Sequence, residues 1–358
     1  MKILLLAAEE SALIYASEIK RRLAGNEILG FQDFGFKTSD LAVMGFGPVL
    51  RKLGFFIRVK RTLCRAIDEW RPDVVVTIDY PGMNLTIARY AKKRGVRTIH
   101  VVCPQIWAWR SGRAKKIEES VDRLCCFLPF EPQLFRPGFA VFVGHPLAEN
   151  FPARKERDVS LIAFLPGSRI GEIRRNLPIL LKAADSLRNT RIVIPAANKE
   201  AYDAIDACMS GRGKTYNSLE LQLGGARELL LKANLAVVAS GTATLEAALA
   251  RCPTILVYRV NPLLAIFARH VIKGVKHIGL VNIIWEKTGH VGPAPMPELL
   301  QENFTADNVV DSILRWHDND EERDKTVQAL DKAVKLLDGD GKSFDRIVAE
   351  ILNKEAKQ

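Results

Sequence analysis

Short apolar runs alternate with longer segments of helical period along most of the chain, and this alternation occurs twice. In the first half, the apolar runs Ile3–Ala8, Asp73–Ile78 and Thr98–Val102 are separated by segments such as Ser11–Ala24 and Leu85–Arg94. Strands connected by helices form crossover units, which build a parallel sheet covered by helices. The pattern therefore predicts an α/β fold.

The alternation restarts after a polar segment that contains two prolines, residues 145–157. A chain of 358 residues suggests about two domains at ~150 residues each. We expect two doubly wound, Rossmann-like domains facing across a cleft: residues 1–150, residues 151–335, and a C-terminal helix in 336–358 that packs back on the first domain or on a partner subunit. Ligands of such folds bind beyond the carboxyl ends of the strands.

Composition and charge exclude several classes of protein. The net charge of +11 favours an anionic partner, such as nucleic acid, an acidic lipid surface or a phosphorylated small molecule. Six cysteines without a CxxC pair argue against a zinc ribbon or a thioredoxin-type site. Glu9 and Glu10 interrupt the apolar start too early for a signal peptide, and no apolar run is long enough to span a membrane. We therefore expect a cytoplasmic protein.

Two strand-to-helix junctions of the second domain have the composition of an anion site. One carries Arg169 after Pro-Gly-Ser, and the other reads Ser240-Gly241-Thr242-Ala-Thr244-Leu-Glu246. Free N–H groups at a helix start attract phosphate, the threonine hydroxyls can donate to it, and Glu246 could accept hydrogen bonds from a ribose. An ordinary turn and an ordinary capped helix are the alternatives. Neither GxGxxG nor GxxxxGK[ST] is present.

Polar residues also follow strands of the first domain. Asp79 ends a predicted strand and suits a general base. The alternative is that Asp79 caps the following helix, although Asn84 suits that role better. The segment after the next strand contains Gln105, Trp107, Trp109 and Arg110. These side chains could line the cleft and hold a sugar or an acyl chain, but tryptophans are more often core residues. His145 is either a cleft residue or a hinge histidine.

A basic stretch without acidic residues runs from Leu41 to Ile67 and is interleaved with apolar side chains. It fits insertion at an acidic membrane surface, or else a core helix with a solvated basic face. Nucleic acid is disfavoured as a partner because no binding module is recognisable. The predicted membrane-facing residues are Phe46, Leu50, Arg51, Lys52, Leu53, Phe55 and Phe56.

Eight motifs in one order resemble those of the lipid-A-disaccharide synthases, which are inverting glycosyltransferases of the two-domain GT-B fold. They begin at Leu41 (LAVMG), Ile78 (IDYP), Pro104 (PQIWAWR), Leu128 (LPFE), Val143 (VGHP), Leu165 (LPGSR), Ala239 (ASGTATLE) and Pro297 (PELLQ). The resemblance implies that UDP-2,3-diacylglucosamine and 2,3-diacylglucosamine 1-phosphate are joined into the lipid A disaccharide 1-phosphate with release of UDP. It also implies a peripheral location on the inner membrane face, no metal and a possible homodimer.

The resemblance assigns roles to residues that match the family motifs. Asp79 matches the proposed base and Arg169 an arginine near the diphosphate. Ser240, Gly241, Thr242 and Glu246 match the nucleotide loop, and Asn282 matches an asparagine of the nucleotide pocket. Glu9 and Ser11 remain from the family's first loop.

Three of four departures from the family fall in the acceptor-binding half. There the first loop lacks both family glycines and its closing aspartate, Gly82 replaces a second carboxylate, and the segment between the first helix and Leu41 is shortened. In the other half, Trp285–Pro295 replaces another family motif. The donor nucleotide is therefore better supported than the acceptor. A paralogue that uses a different acceptor, or binds a nucleotide-sugar or lipid without catalysis, is the alternative.

Overall fold

The computed structural model describes residues 1–41, 53–109, 111–149, 151–153, 155–187, 190–211, 218–261, 274–317 and 319–353, with only the backbone at residues 10, 11, 38, 39, 109, 111 and 317. The chain divides into two compact units. The first, called unit 1, comprises Met1–Glu149 and Leu337–Gln358, and unit 2 comprises Asn150–Leu336.

Unit 1 contains a parallel six-stranded sheet in the order β2-β1-β3-β4-β5-β6. Its strands are β1 Lys2–Ala7, β2 Glu27–Leu29, β3 Val74–Ile78, β4 Arg97–Val101, β5 Arg123–Cys126 and β6 Ala140–Phe142. Its helices are α1 Glu10–Arg22, α2 Thr38–Leu41, α3 Leu53–Trp70, α4 Pro81–Lys93, α5 Ile106–Trp109, α6 Ala114–Ser120 and, from the end of the chain, α14 Ser343–Leu352.

Alternate residues of β1 pack on opposite faces of the sheet. Ile3 and Leu5 join a core with α1 and α14, whereas Leu4 and Leu6 join a core with α3 and α4. Because both faces are covered, β1 and β3 consist of almost continuous apolar residues. An ion-pair cluster at Arg22, with Glu149 and Asp345 both at 2.7 Å, ties α14 to α1.

Unit 2 contains a second parallel six-stranded sheet, in the order β12-β11-β10-β7-β8-β9. The strands are β7 Asp158–Leu165, β8 Arg191–Ala196, β9 Leu219–Leu223, β10 Ala233–Ala239, β11 Thr254–Tyr258 and β12 Glu298–Leu300. The helices are α7 Ile170–Ala184, α8 Lys199–Ser210, α9 Ala226–Lys232, α10 Thr242–Leu249, α11 Leu280–Lys287, α12 Ala306–His317 and α13 Asp320–Lys335. Buried residues of α7, α8 and α12 form a core with the strands of this sheet.

Two sequence expectations about local structure need correction. Asn84 is not a helix cap, because α4 already begins at Pro81 and Asn84 is buried inside the helix. The short strands β2, β9 and β12 are not predicted by the pattern of apolar runs, because they carry few buried apolar residues. Among the described residues, no helix is long and apolar enough to cross a membrane.

Candidate active site

Asp79 stands at the carboxyl end of β3 in a strained turn. Both Asp79 and Tyr80 adopt left-handed backbone angles, with φ of 49° and 50°. Such angles cost of order 1–3 kcal/mol each in residues other than glycine. The buried amide of Asn84 stabilises the turn by donating to the carbonyls of Ile78 and Asp79, at 3.1 and 2.8 Å. This arrangement holds the half-buried Asp79 side chain beyond the strand end.

The Asp79 carboxylate lies in an environment that favours its protonated form. Burial raises the pKa of Asp79, and a hydrogen bond from the Tyr80 N–H at 2.8 Å opposes the rise. The pKa of Glu9 is also raised, first by burial and then by the negative charge of Asp79. The structure therefore brings together two of the predicted residues as interacting carboxylates, and a raised pKa suits a group that accepts a proton.

The other predicted cleft residues of unit 1 lie in different environments. Gln105 is exposed, whereas Trp107 and His145 are buried. Burial lowers the pKa of His145 to about 4, so its ring is neutral at pH 7. Its Nδ1 accepts a hydrogen bond from the Leu147 N–H at 3.2 Å. Ser11 and Trp109 are described by their backbone alone, in α1 and α5, and Arg110 lies outside the described residues.

Trp107 is held by a buried carboxylate that sequence reasoning missed. The indole N–H donates to Glu131 at 3.1 Å, and the Leu128 N–H donates to the other oxygen at 3.1 Å. Burial raises the pKa of Glu131 to about 8. The thiols of Cys103 and Cys126 lie next to this carboxyl, with the three groups' ligand atoms within 4.8 Å of one another. Among the described residues, this trio has the donor types and spacing of a metal site. The spacing of the three residues along the sequence does not predict that they meet.

Arg169 lies at the start of α7 in unit 2. The preceding Gly167 has φ of 121°, and a Cβ there would lie 2.6 Å from the Glu172 carboxylate, so this turn requires glycine. Asn176, buried in α7, donates to the Pro166 carbonyl at 2.8 Å and fixes the turn. The Arg169 side chain is 68% exposed and pairs with Glu172 at 3.1 Å. The guanidinium is thus exposed at this helix start, where an incoming anion would compete with the Glu172 carboxylate for it.

The turn Ser240–Thr242 joins β10 to α10. Gly241 has φ of 158° and ψ of −165°, a combination that is essentially confined to glycine, and a Cβ there would meet open space. Gly241 and Thr242 are exposed, whereas Thr244 is buried and donates its hydroxyl to the Gly241 carbonyl at 2.7 Å. The first N–H groups of a helix have no intrahelical acceptor, so this turn offers donors to an anion.

Glu246 stands one turn into α10 and forms an ion pair with Arg227 of α9 at 2.9 Å. Arg227 also lies over the ring of Phe151, at 5.3 Å from its centre. Sequence reasoning predicted Glu246 and missed Arg227, which has no motif of its own. The pair fixes the carboxylate beside the Ser240–Thr242 turn along the same helix.

Asn282 is fully buried in α11. Its amide donates to the Met296 carbonyl at 2.7 Å and to Glu298 at 2.8 Å, and its oxygen accepts from the Met296 N–H at 3.0 Å. Glu298 also accepts from the Ile278 and Gly279 N–H groups. Both N–H groups of Asn282 are therefore used in contacts with the segment after α11, and Glu298 of that segment in turn holds the residues before the helix.

Helix α3 contains the described part of the predicted membrane-facing stretch. Leu53 and Ile57 are exposed, at 53% and 43%. Phe55 and Phe56 are instead half-buried and pack against the core of unit 1, with Phe55 edge-on to Phe36. The remaining predicted residues, Phe46, Leu50, Arg51 and Lys52, lie outside the described residues.

Comparison with known proteins gives a consistent result. A model of the family described as "Lipid-A-disaccharide synthetase" matches residues 3–351. The lipid-A-disaccharide synthase of Xylella fastidiosa (strain 9a5c) is 38% identical over 303 residues, which cover 78% of this chain and 76% of the relative.

Solved structures show the fold. The glycotransferase of kitacinnamycin has a TM-score of 0.62 at 13% identity, covering 98% of both chains. UDP-GlcNAc 2-epimerase from Neisseria meningitidis, bound to UDP-GlcNAc, has a TM-score of 0.60 at 11% identity, covering 98% of this chain and 100% of that one. At these identities the likeness establishes the fold alone, and the predicted GT-B fold is confirmed.

Proposed function

Because this chain belongs to the lipid-A-disaccharide synthetase family, as its motifs predicted, we propose that it transfers diacylglucosamine from UDP-2,3-diacylglucosamine to 2,3-diacylglucosamine 1-phosphate. The products are UDP and the lipid A disaccharide 1-phosphate. Family membership makes the chain a glycosyltransferase of lipid A biosynthesis, and the choice of these two substrates is the proposal. The observation that supports the chemistry best is Asp79, a half-buried carboxylate of raised pKa at a strand end.

Asp79 acts as the general base in this proposal. Its carboxylate takes the proton from the acceptor hydroxyl while that oxygen attacks the anomeric carbon and the bond to UDP breaks. The attack inverts the anomeric centre. A positioned base contributes about 10²–10⁴-fold to the rate. The negative charge of Asp79 contributes to the raised pKa of Glu9, so the two carboxyls lie near each other.

The departing UDP gains negative charge. Residues of unit 2 stabilise this charge in the proposal. The exposed guanidinium of Arg169 and the N–H donors of the Ser240–Thr242 turn are the proposed partners of the diphosphate. Preorganised donors of this kind are worth roughly 3–4 kcal/mol each in the barrier. Glu246, oriented by Arg227, is the proposed acceptor of ribose hydroxyls. The bound UDP-GlcNAc of the Neisseria relative of the fold supports a nucleotide-sugar donor.

Product analysis tests the proposal. The full chain in detergent is incubated with UDP-2,3-diacylglucosamine and 2,3-diacylglucosamine 1-phosphate, and the lipids are analysed by mass spectrometry. The proposal predicts the disaccharide 1-phosphate together with one UDP per product. Hydrolysis of the donor without disaccharide, or no reaction by a protein that still binds UDP, would contradict it.

A paralogue with another acceptor is the second candidate, and Gly82 is the observation that favours it. The family's second carboxylate is missing there, next to the Asp79 turn. A panel of glucosamine phosphates that differ in acylation separates the two candidates. Faster turnover with an acceptor other than the 2,3-diacylated one would favour the second.

Association with an anionic membrane surface through α3 is part of the proposal. The exposed Leu53 and Ile57 lie on the same helix as the exposed Arg58, Arg61 and Arg65. An exposed apolar and basic helix face suits binding at acidic headgroups. Leu53→Ser with Ile57→Ser should reduce binding to phosphatidylglycerol vesicles, whereas Leu314→Ser, an exposed leucine of unit 2, should not. Unchanged vesicle binding by the double variant would contradict this role.

A further inference from the structure

A pocket of about 290 Å³ opens in unit 1 beside the Asp79 turn. Pro81 and Gly82, which follow that turn directly, form one side, and Pro104 and Ile106, which follow β4, form another. Because β3 and β4 are neighbours, the pocket lies at the carboxyl edge of the sheet, where parallel folds bind ligands. None of the nucleotide-binding residues proposed above lines it.

The pocket combines an apolar floor with a cationic rim. Leu85, Ile106 and Ile117 supply apolar walls, and Arg89, Arg113 and Lys116 are the charged lining residues, all of them basic. This pairing of surfaces is complementary to an anionic group that is attached to an acyl chain.

Two of the three cations are available to a ligand. Arg89 is paired with Glu119 at 3.2 Å. Arg113 and Lys116 are exposed, lie three residues apart, and have no acidic partner in the part of the chain that the structure describes. Residues at this spacing lie on the same side of a helical segment, so both cations can reach one anion.

Gly82 lines the pocket and brings no acidic charge to it. A Cβ at this position would meet nothing within 4 Å, so the residue adjoins open space. The volume is at the small end of small-molecule pockets, which run from about 300 to 1,000 Å³. It therefore accommodates one part of a diacylated sugar phosphate rather than the whole molecule.

We propose that this pocket binds the phosphate end of the acceptor, with Arg113 and Lys116 holding the phosphate and the apolar floor covering the first part of an acyl chain. The inference rests on the proposed function, because it assigns the acceptor's place at the same site. An acceptor bound in this pocket lies at the carboxyl edge of the sheet, which is also the edge at which Asp79 stands.

The test compares Arg113→Gln/Lys116→Gln with Lys115→Gln, an exposed lysine of the same helix that does not line the pocket. The double variant should raise the KM for 2,3-diacylglucosamine 1-phosphate by about tenfold or more, since a hydrogen bond between charged groups is lost. The KM for UDP-2,3-diacylglucosamine should not change. Lys115→Gln should behave as the wild type.

Substrate variation makes the test specific for the phosphate. With the acceptor lacking its 1-phosphate, the double variant and the wild type should differ by less than about twofold. An equal loss for both acceptors, or an unchanged KM for the phosphorylated one, would overturn the proposal. If the double variant lost only its binding to phosphatidylglycerol vesicles, the rim would serve membrane lipid instead, which would also overturn it.

Calorimetric titration of the acceptor without donor separates this inference from the proposed function. Acceptor binding that weakens about tenfold or more in the double variant supports the pocket even if no disaccharide forms. Unchanged acceptor binding in a chain that does make the disaccharide overturns the pocket and leaves the proposed function intact.

Discussion

The polar turns of the two units differ in the charge that they favour. In unit 1, the turn after β3 holds a half-buried carboxylate on strained backbone, and a second carboxylate interacts with it. In unit 2, the turns after β7 and β10 present an exposed arginine and exposed helix N–H groups. Burial makes the carboxylate of the unit 1 turn a better proton acceptor, whereas the turns of unit 2 attract anions. Two parallel sheets of different strand order thus carry the proton-accepting half and the anion-binding half of the proposed transfer reaction.

The largest expected effect tests the proton-accepting half. Asp79→Asn keeps the shape of the turn, because the side-chain oxygen can still accept from the Tyr80 N–H, but it removes the base. We expect kcat to fall by about 10²–10⁴-fold. Asp345→Asn, an exposed carboxylate of the same unit, is the matched control and should retain activity. Turnover of Asp79→Asn within a few-fold of wild type would rule out this base.

The next effect tests the anion-binding half. Arg169→Ala removes the exposed guanidinium and should lower kcat/KM for the donor by about 10²–10³-fold. Arg315→Ala changes an arginine of unit 2 that is 72% exposed and should leave the kinetics unchanged. If the two variants behaved alike, Arg169 would have no part in stabilising the diphosphate.

A smaller effect sharpens the nucleotide assignment. Glu246→Gln should weaken UDP binding about tenfold, since a charged acceptor for ribose hydroxyls is lost together with its pair to Arg227. Glu228→Gln, on α9 beside Arg227, is the control. Fluorescence or calorimetric titration with UDP measures both. Equal UDP affinities for Glu246→Gln and wild type would remove Glu246 from the nucleotide site.

The smallest effect concerns stability and pH. Since burial raises the pKa of Asp79 above its ordinary 3.8, the folded protein binds this proton more tightly than the unfolded chain does. Ionised Asp79 therefore lowers the free energy of unfolding at neutral pH, and this cost disappears as the pH falls below the ordinary pKa. Asp79→Asn should be more stable than wild type towards urea at pH 7, with the difference shrinking at pH 4. A variant that is less stable at pH 7 would contradict the desolvation argument.

The features that sequence predicted are those set by local pattern. The buried strands are apolar throughout, and the Ser240–Thr242 turn combines small and hydroxylic residues where a strand meets a helix, so both are legible in a short window. The position of Asp79 at a strand end is predicted for the same reason, because this residue directly follows an apolar run.

The features that sequence missed depend on contacts between distant residues. Arg227 matters because the fold brings it to Glu246, and Glu131 because it reaches Trp107, 24 residues away. Neither contact leaves a periodic signal. The residue type of Asn84 predicts a helix cap. The helix instead begins at Pro81, so Asn84 is buried inside it and donates to two carbonyls at the strand end.

The proposed separation of roles between the units is tested most directly by UDP affinity in variants of Asp79 and Arg169. Calorimetric titration of UDP into Asp79→Asn and Arg169→Ala, beside wild type, measures anion binding apart from proton transfer. The account predicts an unchanged Kd in Asp79→Asn and a Kd raised about tenfold or more in Arg169→Ala. An Asp79→Asn variant that binds UDP as weakly as Arg169→Ala would contradict it.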